Sequence, residues 1–149
     1  MRRVILGVIL ALALAACGGS PSSTPAVEYH AVPGQSGLPF SEAVRVGPML
    51  YLSGQLGTDA GGQLVAGGIE PETRQVFANI RAILERHGSS LDRVVKCTAM
   101  LADMSEWAAM NKVYVTYFPK QLPARSAFGA TALARGARIE LECWATVGQ

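Results

Sequence analysis

The segment 71–101, PETRQVFANIRAILERHGSSLDRVVKCTAML, contains the change of pattern that decides the fold. Pro71 and Glu72 suit the N-terminus of a helix, because Pro fits the first turn and a carboxylate is favoured near the positive end of the helix dipole. Five apolar residues then recur at helical spacing: Val76, Phe77, Ile80, Ile83 and Leu84. Gly88 ends the predicted helix. The period then changes to two, which predicts a strand with four residues on one face: Val95, Cys97, Ala99 and Leu101.

The regions on either side of this segment complete the predicted order. Residues 41–55 predict a β-hairpin. A second helix is predicted to begin at Asp103, where the spacing of acidic residues resembles a capping box, and to end before Pro119. Two strands follow, over residues 124–133 and 137–147. The predicted order is β-β-α-β-α-β-β, an α+β fold with one mixed sheet and two right-handed helical crossovers.

If both helices cover one face of this sheet, the opposite face carries apolar side chains among polar neighbours. These residues are Met49, Tyr51, Met100 and Trp144. So much apolar surface on one face favours self-association. The alternative is a one-sided sheet that faces solvent.

The N-terminus is predicted to be a targeting segment. Residues 1–16 combine a short basic start with an apolar run too short for the roughly 20 residues that span a bilayer. The run ends at Leu14-Ala15-Ala16-Cys17, which resembles a bacterial lipobox and makes Cys17 the predicted lipidation site. Residues 17–28 then form a flexible lipidated tether, and residues 29–149 form the folded domain.

This organisation predicts an exported lipoprotein on the periplasmic side of a bacterial membrane, held there only by its lipid. The residue after the predicted lipidation site is Gly18. In Gram-negative lipoproteins, an Asp at this position would retain the protein in the inner membrane. A lipoprotein without that Asp resembles cargo for the outer membrane.

The charge balance argues against a nucleic-acid partner. The chain has 13 basic and 11 acidic residues, and Arg2 and Arg3 account for the whole excess. A neutral body has no electrostatic attraction for phosphate. The expected partner is a small molecule or another copy of the chain.

The cysteines that remain after lipidation give no metal signature. Cys97 and Cys143 lie on the apolar side of strand patterns and are predicted to be buried free thiols, with a disulfide as the alternative in an oxidising compartment. His30 and His87 stand alone in the sequence. Because no cysteine has a His or Cys partner at metal-ligand spacing, no metal is predicted.

The sequence offers few candidates for catalysis, since it carries no catalytic triad, phosphate-binding loop or zinc motif. Arg125 begins a strand just after a Pro-bounded loop, and a guanidinium is well suited to binding a carboxylate. Glu140 and Glu142 lie on one face of the last predicted strand. From the pattern alone there is a structural alternative to a catalytic role. In it, Arg125 forms a salt bridge with one of these glutamates at the rim of the domain, and both glutamates lie on a solvated strand face.

Four motifs, in their order along the chain, resemble the Rid (YjgF-type) family of imine and enamine deaminases. They are Ser53-Gly54-Gln55, Asn111, Pro123-Ala124-Arg125-Ser126 and Arg138-Ile139-Glu140-Leu141-Glu142. The resemblance covers residues 37–148. It implies a chorismate-mutase-like fold and a homotrimer with sites in the clefts between subunits. It also implies hydrolysis of 2-imino acids and 2-aminoacrylate-like enamines to 2-oxo acids and ammonia, without a cofactor.

The resemblance implies three catalytic roles by position. Arg125 is expected to bind the substrate carboxylate, and Glu140 to orient or deprotonate the attacking water. Ser53 is expected to hydrogen-bond near the reacting centre. So sparse a site is sufficient, because an imine carbon is already electrophilic and one general base contributes about 10²–10⁴-fold.

The resemblance also implies a set of substrate-binding residues, and the chain departs from the family at two of them. Gly54 and Ala127 are expected to offer backbone groups, and Asn111 to help shape the pocket. Phe40 stands where deaminating members carry a Tyr, and Ala127 stands where many carry a Cys. An alternative function remains, in which a non-catalytic lipoprotein binds a small carboxylate in the same intersubunit cleft.

Overall fold

The computed structural model describes residues 24–148 of the chain. The predicted signal peptide and Cys17 therefore lie outside the described residues. Within this described range the fold consists of seven strands and two α-helices: β1 (Val27–His30), β2 (Ala43–Val46), β3 (Met49–Leu52), β4 (Gln55–Leu56), α1 (Ile69–Arg86), β5 (Val94–Leu101), α2 (Trp107–Tyr114), β6 (Ala124–Gly129) and β7 (Ile139–Thr146).

All seven strands belong to one mixed sheet, and both helices pack on the same face of it. The strand order is β1-β2-β3-β7-β5-β6, and β4 continues the line of β3 along β7. Strands β5 and β6 run parallel, and the other pairs are antiparallel. The predicted α+β class and the predicted order of helices and strands are confirmed. Two short strands, β1 and β4, are additional, and β1 begins at Val27, inside the segment predicted as tether.

Helix α1 follows its predicted pattern. It begins after Gly68, carries Glu70 and Glu72 in its first turn and buries an apolar stripe against the sheet. Gly88, with a φ of 72°, ends the helix in the left-handed conformation that glycine adopts without strain. The stripe consists of Ile69, Val76, Phe77, Ile80, Ile83 and Leu84.

Strand β5 corrects the prediction for Val95. A β-bulge falls between Val94 and Lys96, so Val95 has no partner on β7 and its side chain is exposed. Val94 takes the inward position instead. The bulge adds one residue before the regular alternation, which sequence periodicity cannot detect.

The second helical segment begins later than predicted. Asp103 caps a single 3₁₀ turn by accepting a hydrogen bond from the Ser105 backbone N–H at 2.8 Å, and α2 starts at Trp107. Glu106 does not complete a capping box, because its carboxylate pairs with Arg138 at 2.6 Å.

The prediction of two free thiols is wrong, because Cys97 and Cys143 form a disulfide. The two residues lie directly opposite each other on β5 and β7, with their Cα atoms 4.1 Å apart. That separation is typical of a non-hydrogen-bonded antiparallel pair, in which side chains are closest. The alternation pattern places both thiols on the buried face, but it does not specify that β5 and β7 are neighbours.

The face of the sheet away from the helices is rich in apolar side chains, as predicted. Tyr51 and Trp144 pack edge to face with ring centroids 5.1 Å apart, and Met49 and Met100 are half-buried elsewhere on the same face. Phe128 adds an exposed ring on the edge strand β6. Within the described range, neither helix is both long and apolar enough to traverse a bilayer.

Candidate active site

Arg125 lies on the edge strand β6 with its side chain directed towards α2. Its guanidinium carbon is 4.8 Å from the centroid of the Trp107 ring and 4.4 Å from that of Tyr114. Trp107 and Tyr114 are seven residues apart, so they project from the same side of α2 two turns apart. The two rings form a cation–π cradle that holds a half-buried cation.

No carboxylate pairs with Arg125 anywhere in residues 24–148. Glu142 instead accepts a hydrogen bond from the Trp144 indole at 2.9 Å. The alternative of a rim salt bridge from Arg125 to Glu140 or Glu142 is therefore wrong. The sheet register explains why: Arg125 shares a face with Cys97 and Cys143, whereas both glutamates project from the opposite face.

Three buried polar atoms on this side of the sheet have no hydrogen-bond partner among the described residues: Glu106 Oε2, Asn111 Oδ1 and Tyr114 Oη. Asn111 lies between the two ring-bearing positions on α2, at a spacing that brings it to the side of the helix near Arg125. Burial raises the pKa of Tyr114 to about 12, although the nearby Arg125 charge acts in the opposite direction. At neutral pH the phenol is therefore protonated and uncharged.

The Glu140 carboxylate lies against the backbone of Gly54, which follows Ser53 in the chain. A Cβ built on Gly54 would overlap Glu140 Oε1 and would lie 2.8 Å from Glu140 Cδ, so only glycine admits the carboxylate at this position. The Ser53 hydroxyl donates a hydrogen bond to the Ser41 carbonyl at 2.6 Å. This bond fixes the Ser53 oxygen and leaves its lone pairs available to accept from a ligand.

A cavity of about 460 Å³ opens next to Gly54. Phe40 and Leu38 supply an apolar wall, and Arg135 lies at the rim. Arg135 has a φ of 61° and donates from Nη1 to the Gly62 carbonyl at 2.6 Å, which ties the glycine-rich loop to the start of β7.

Glu42, which also lines this cavity, is a buried carboxylate that belongs to none of the predicted motifs. It pairs with Arg86 and lies 3.1 Å from His87 Nε2, at the end of α1. His30 packs on His87 with ring centroids 4.3 Å apart, so the two histidines do not stand alone as the sequence suggested. Across residues 24–148, no three His, Cys, Asp or Glu side chains are placed to hold a metal ion.

The candidate residues thus fall into two groups that one chain does not bring together. One group consists of Phe40, Ser53, Gly54 and Glu140, and the other of Asn111, Arg125 and Ala127. Trp107 and Tyr114 were not among the predicted site residues, because aromatic residues at helical spacing usually belong to the core. Their spacing of seven residues could have indicated this role, because it places both rings on one side of a helix that precedes the strand carrying Arg125.

Together, the fold and the two groups define a small chorismate-mutase-like α+β protein with Arg125 on one face of its sheet and Glu140 on the other. The chain belongs to the Endoribonuclease L-PSP family, the Rid or YjgF family, whose model matches residues 33–147.

Several proteins are similar to this chain over most of their length. The 2-iminobutanoate/2-iminopropanoate deaminase of Mus musculus is 45% identical over 111 residues, which cover 74% of this chain and 82% of the mouse protein. The human protein of the same name is 43% identical over 117 residues, 78% of this chain and 85% of its own. A crystal structure of a Rid-family protein of unknown function from Yersinia pestis matches with a TM-score of 0.76 at 35% identity, covering 82% of this chain and 100% of that chain.

Proposed function

We propose that this protein is a cofactor-independent deaminase that hydrolyses 2-imino acids and their enamine tautomers to 2-oxo acids and ammonia. The observation that carries the proposal is the half-buried guanidinium of Arg125, which has aromatic neighbours and no acid partner within residues 24–148. A cation held in this way is prepared to bind an anion, and guanidinium geometry matches a carboxylate. The similarity to proteins named 2-iminobutanoate/2-iminopropanoate deaminase supports a 2-imino acid as that anion.

The proposed reaction needs one base and no covalent intermediate. Arg125 binds the substrate carboxylate, and Glu140 accepts a proton as a water molecule adds to the imine carbon. That proton passes to the imine nitrogen and gives a carbinolamine. Glu140 then transfers the hydroxyl proton of the carbinolamine to the same nitrogen, the C=O bond forms as the C–N bond breaks, and ammonia and the 2-oxo acid are released. Ser53 accepts a hydrogen bond from the reacting centre. Because Phe40 has no hydroxyl, proton transfer depends on Glu140.

The same proposal includes a site shared between copies of the chain. Arg125 and Glu140 project from opposite faces of the sheet, so a single chain does not bring them to one substrate. The apolar open face, with Tyr51, Phe128 and Trp144, offers a surface for self-association. We propose a homotrimer in which Arg125, Asn111 and Ala127 of one subunit meet the Glu140 group of its neighbour.

Imine hydrolysis by the full-length chain, purified in mild detergent, tests the activity. An amino-acid oxidase with catalase generates 2-iminopropanoate from alanine, and semicarbazide competes for the imine. We expect the protein to increase pyruvate and ammonia release and to decrease semicarbazone formation. Thermal stabilisation by pyruvate without turnover would contradict the enzyme and indicate a carboxylate-binding protein; no response at all would contradict both.

We further propose that the protein is an exported lipoprotein on the periplasmic side of a bacterial membrane. The Leu14-Ala15-Ala16-Cys17 motif is the main support. The Cys97–Cys143 disulfide is a second, independent support, because disulfides persist in oxidising compartments and are rare in the cytosol.

Substitution of Cys17 tests the anchor. We expect Cys17→Ala to move the protein from the membrane fraction to the soluble fraction, while alkylation under denaturing conditions finds no reactive thiol at Cys97 or Cys143. The matched control, Cys97→Ala with Cys143→Ala, should stay in the membrane fraction and lose about 2–4 kcal/mol of unfolding free energy. Soluble wild-type protein with two reactive thiols would overturn the proposal.

A further inference from the structure

Arg125 is held by contacts that leave its hydrogen-bonding capacity unused. The rings of Trp107 and Tyr114 lie 4.8 Å and 4.4 Å from the guanidinium carbon. No hydrogen bond from the guanidinium to another described residue is present. An aromatic neighbour attracts the cation through its quadrupole and takes up none of the in-plane N–H donors. A carboxylate neighbour would have neutralised the charge and occupied those donors.

The cradle is itself rigid on its Tyr114 side. Tyr114 is almost fully buried, and its ring centroid lies 5.5 Å from that of Phe77 and 5.1 Å from that of Phe118. Phe77 is part of the buried stripe of α1, so the ring that supports Arg125 is anchored in the core. Arg125, by contrast, lies on an edge strand that pairs only with β5 in the described sheet.

A long arginine side chain on an edge strand would normally lose considerable rotamer entropy when it binds a ligand. Contacts with the anchored Tyr114 ring and with Trp107 restrict that freedom before the ligand arrives, and preorganisation of this kind increases affinity. Tyr114 is also suited to this role because its phenol is uncharged at neutral pH, so no phenolate competes with the substrate for the arginine.

We propose that Trp107 and Tyr114 are positioning residues that hold Arg125 in its carboxylate-binding orientation. This inference rests on the proposed function, because it concerns how the same site recognises the carboxylate of its substrate. Neither ring needs to touch the reacting atoms. Their effect is on the binding of the carboxylate and not on the addition of water.

Two pairs of variants separate positioning from simple structural support. Trp107→Phe and Tyr114→Phe keep a ring beside Arg125, whereas Trp107→Leu and Tyr114→Leu remove it. Tyr117→Leu is the matched control, because Tyr117 stacks on Phe77 at 4.1 Å and is not one of the rings that lie over Arg125. It therefore removes a comparable ring from the same aromatic cluster.

We expect each Leu variant at 107 or 114 to raise KM for 2-iminopropanoate about tenfold with kcat nearly unchanged, and each Phe variant to stay within about twofold of the wild type. Binding of pyruvate should weaken by the same factor, whereas binding of the neutral analogue pyruvamide should not change. Tyr117→Leu should leave the ratio of pyruvate to pyruvamide affinity intact. An equal loss for both probes in the Trp107 and Tyr114 variants would overturn the inference.

A measurement independent of turnover keeps this test separate from the proposed activity. The ¹⁵N–¹H resonance of Arg125 Nε, identified by its loss in Arg125→Lys, should be shifted by the ring currents in the wild type. It should move towards the random-coil position in Trp107→Leu, which retains only the Tyr114 ring, and stay in place in Tyr117→Leu. If the wild type does not hydrolyse imines, the proposed function fails while this spectrum still decides the positioning role. A resonance unaffected by Trp107→Leu would contradict that role.

Discussion

Replacement of Arg125 by Ala is expected to lower kcat/KM for 2-iminopropanoate by about 10²–10³-fold, because it removes a bidentate, charge-assisted pair with the substrate carboxylate. The fold should persist, since within residues 24–148 Arg125 makes no ion pair that the sheet depends on. Steady-state kinetics and thermal unfolding measure the two effects. Arg81→Ala is the matched control. Arg81 is an exposed residue of α1 whose guanidinium carbon lies 6.0 Å from the Tyr117 ring, so it has a similar aromatic neighbour but does not lie beside the site. Unchanged turnover in Arg125→Ala would refute its carboxylate-binding role.

The Arg125→Ala chain also reports on whether the site is shared. When each variant is refolded and assayed separately, neither the Arg125→Ala chain nor the Glu140→Gln chain should be active. If each site takes Arg125 from one chain and Glu140 from its neighbour, refolding the two together in equal amounts should restore activity at about a quarter of the sites. A site built within one chain would give no recovery, and this outcome would contradict the intersubunit arrangement.

Replacement of Gly54 by Ala is expected to reduce kcat by about 10²–10⁴-fold, the contribution of one general base. The added Cβ would overlap the Glu140 carboxylate, which must then move away from the position where it meets water. The backbone at Gly54 does not adopt a positive φ, so the substitution introduces no backbone strain. We therefore expect a stable protein with a displaced base, whose kinetics match those of Glu140→Gln.

Gly148→Ala provides the control for Gly54→Ala. There the new Cβ meets only the flexible end of Arg93, at 3.4 Å, so the same chemical change should leave kcat intact. If Gly54→Ala retained full activity while Glu140→Gln lost it, the overlap would not matter for catalysis. If both retained activity, Glu140 would not be the base.

Most of the secondary structure was predictable because it depends on local periodicity. The apolar spacing of α1 specified its buried stripe, and Gly88 specified its end. The prediction was wrong at Val95, where a single bulged residue reverses the facing of the side chain. It omitted β1, whose four residues are mostly exposed and show no apolar face, and β4, which has only two residues.

The candidate site was predictable in its residue types and not in its geometry. The motif that contains Arg125 indicated an anion-binding residue, but nothing in the pattern showed that this side chain and Glu140 project from opposite faces. Trp107 and Tyr114 looked like core residues because aromatic side chains at helical spacing usually are. Their second role depends on which strand packs beside α2.

Sequence alone determined the order of the two helices and of the five strands with a clear pattern, most of their buried positions and the chemical groups available for catalysis. These follow from side-chain chemistry and from periods of two and 3.6 residues along the chain. Tertiary structure decided which of those groups meet. Because β5 and β7 are adjacent in the sheet, Cys97 lies opposite Cys143 and the two form a disulfide. Because α2 lies near β6, the rings of Trp107 and Tyr114 lie beside Arg125. Such contacts link residues far apart in the chain, and their geometry is set by the packing of whole elements, which local patterns do not encode.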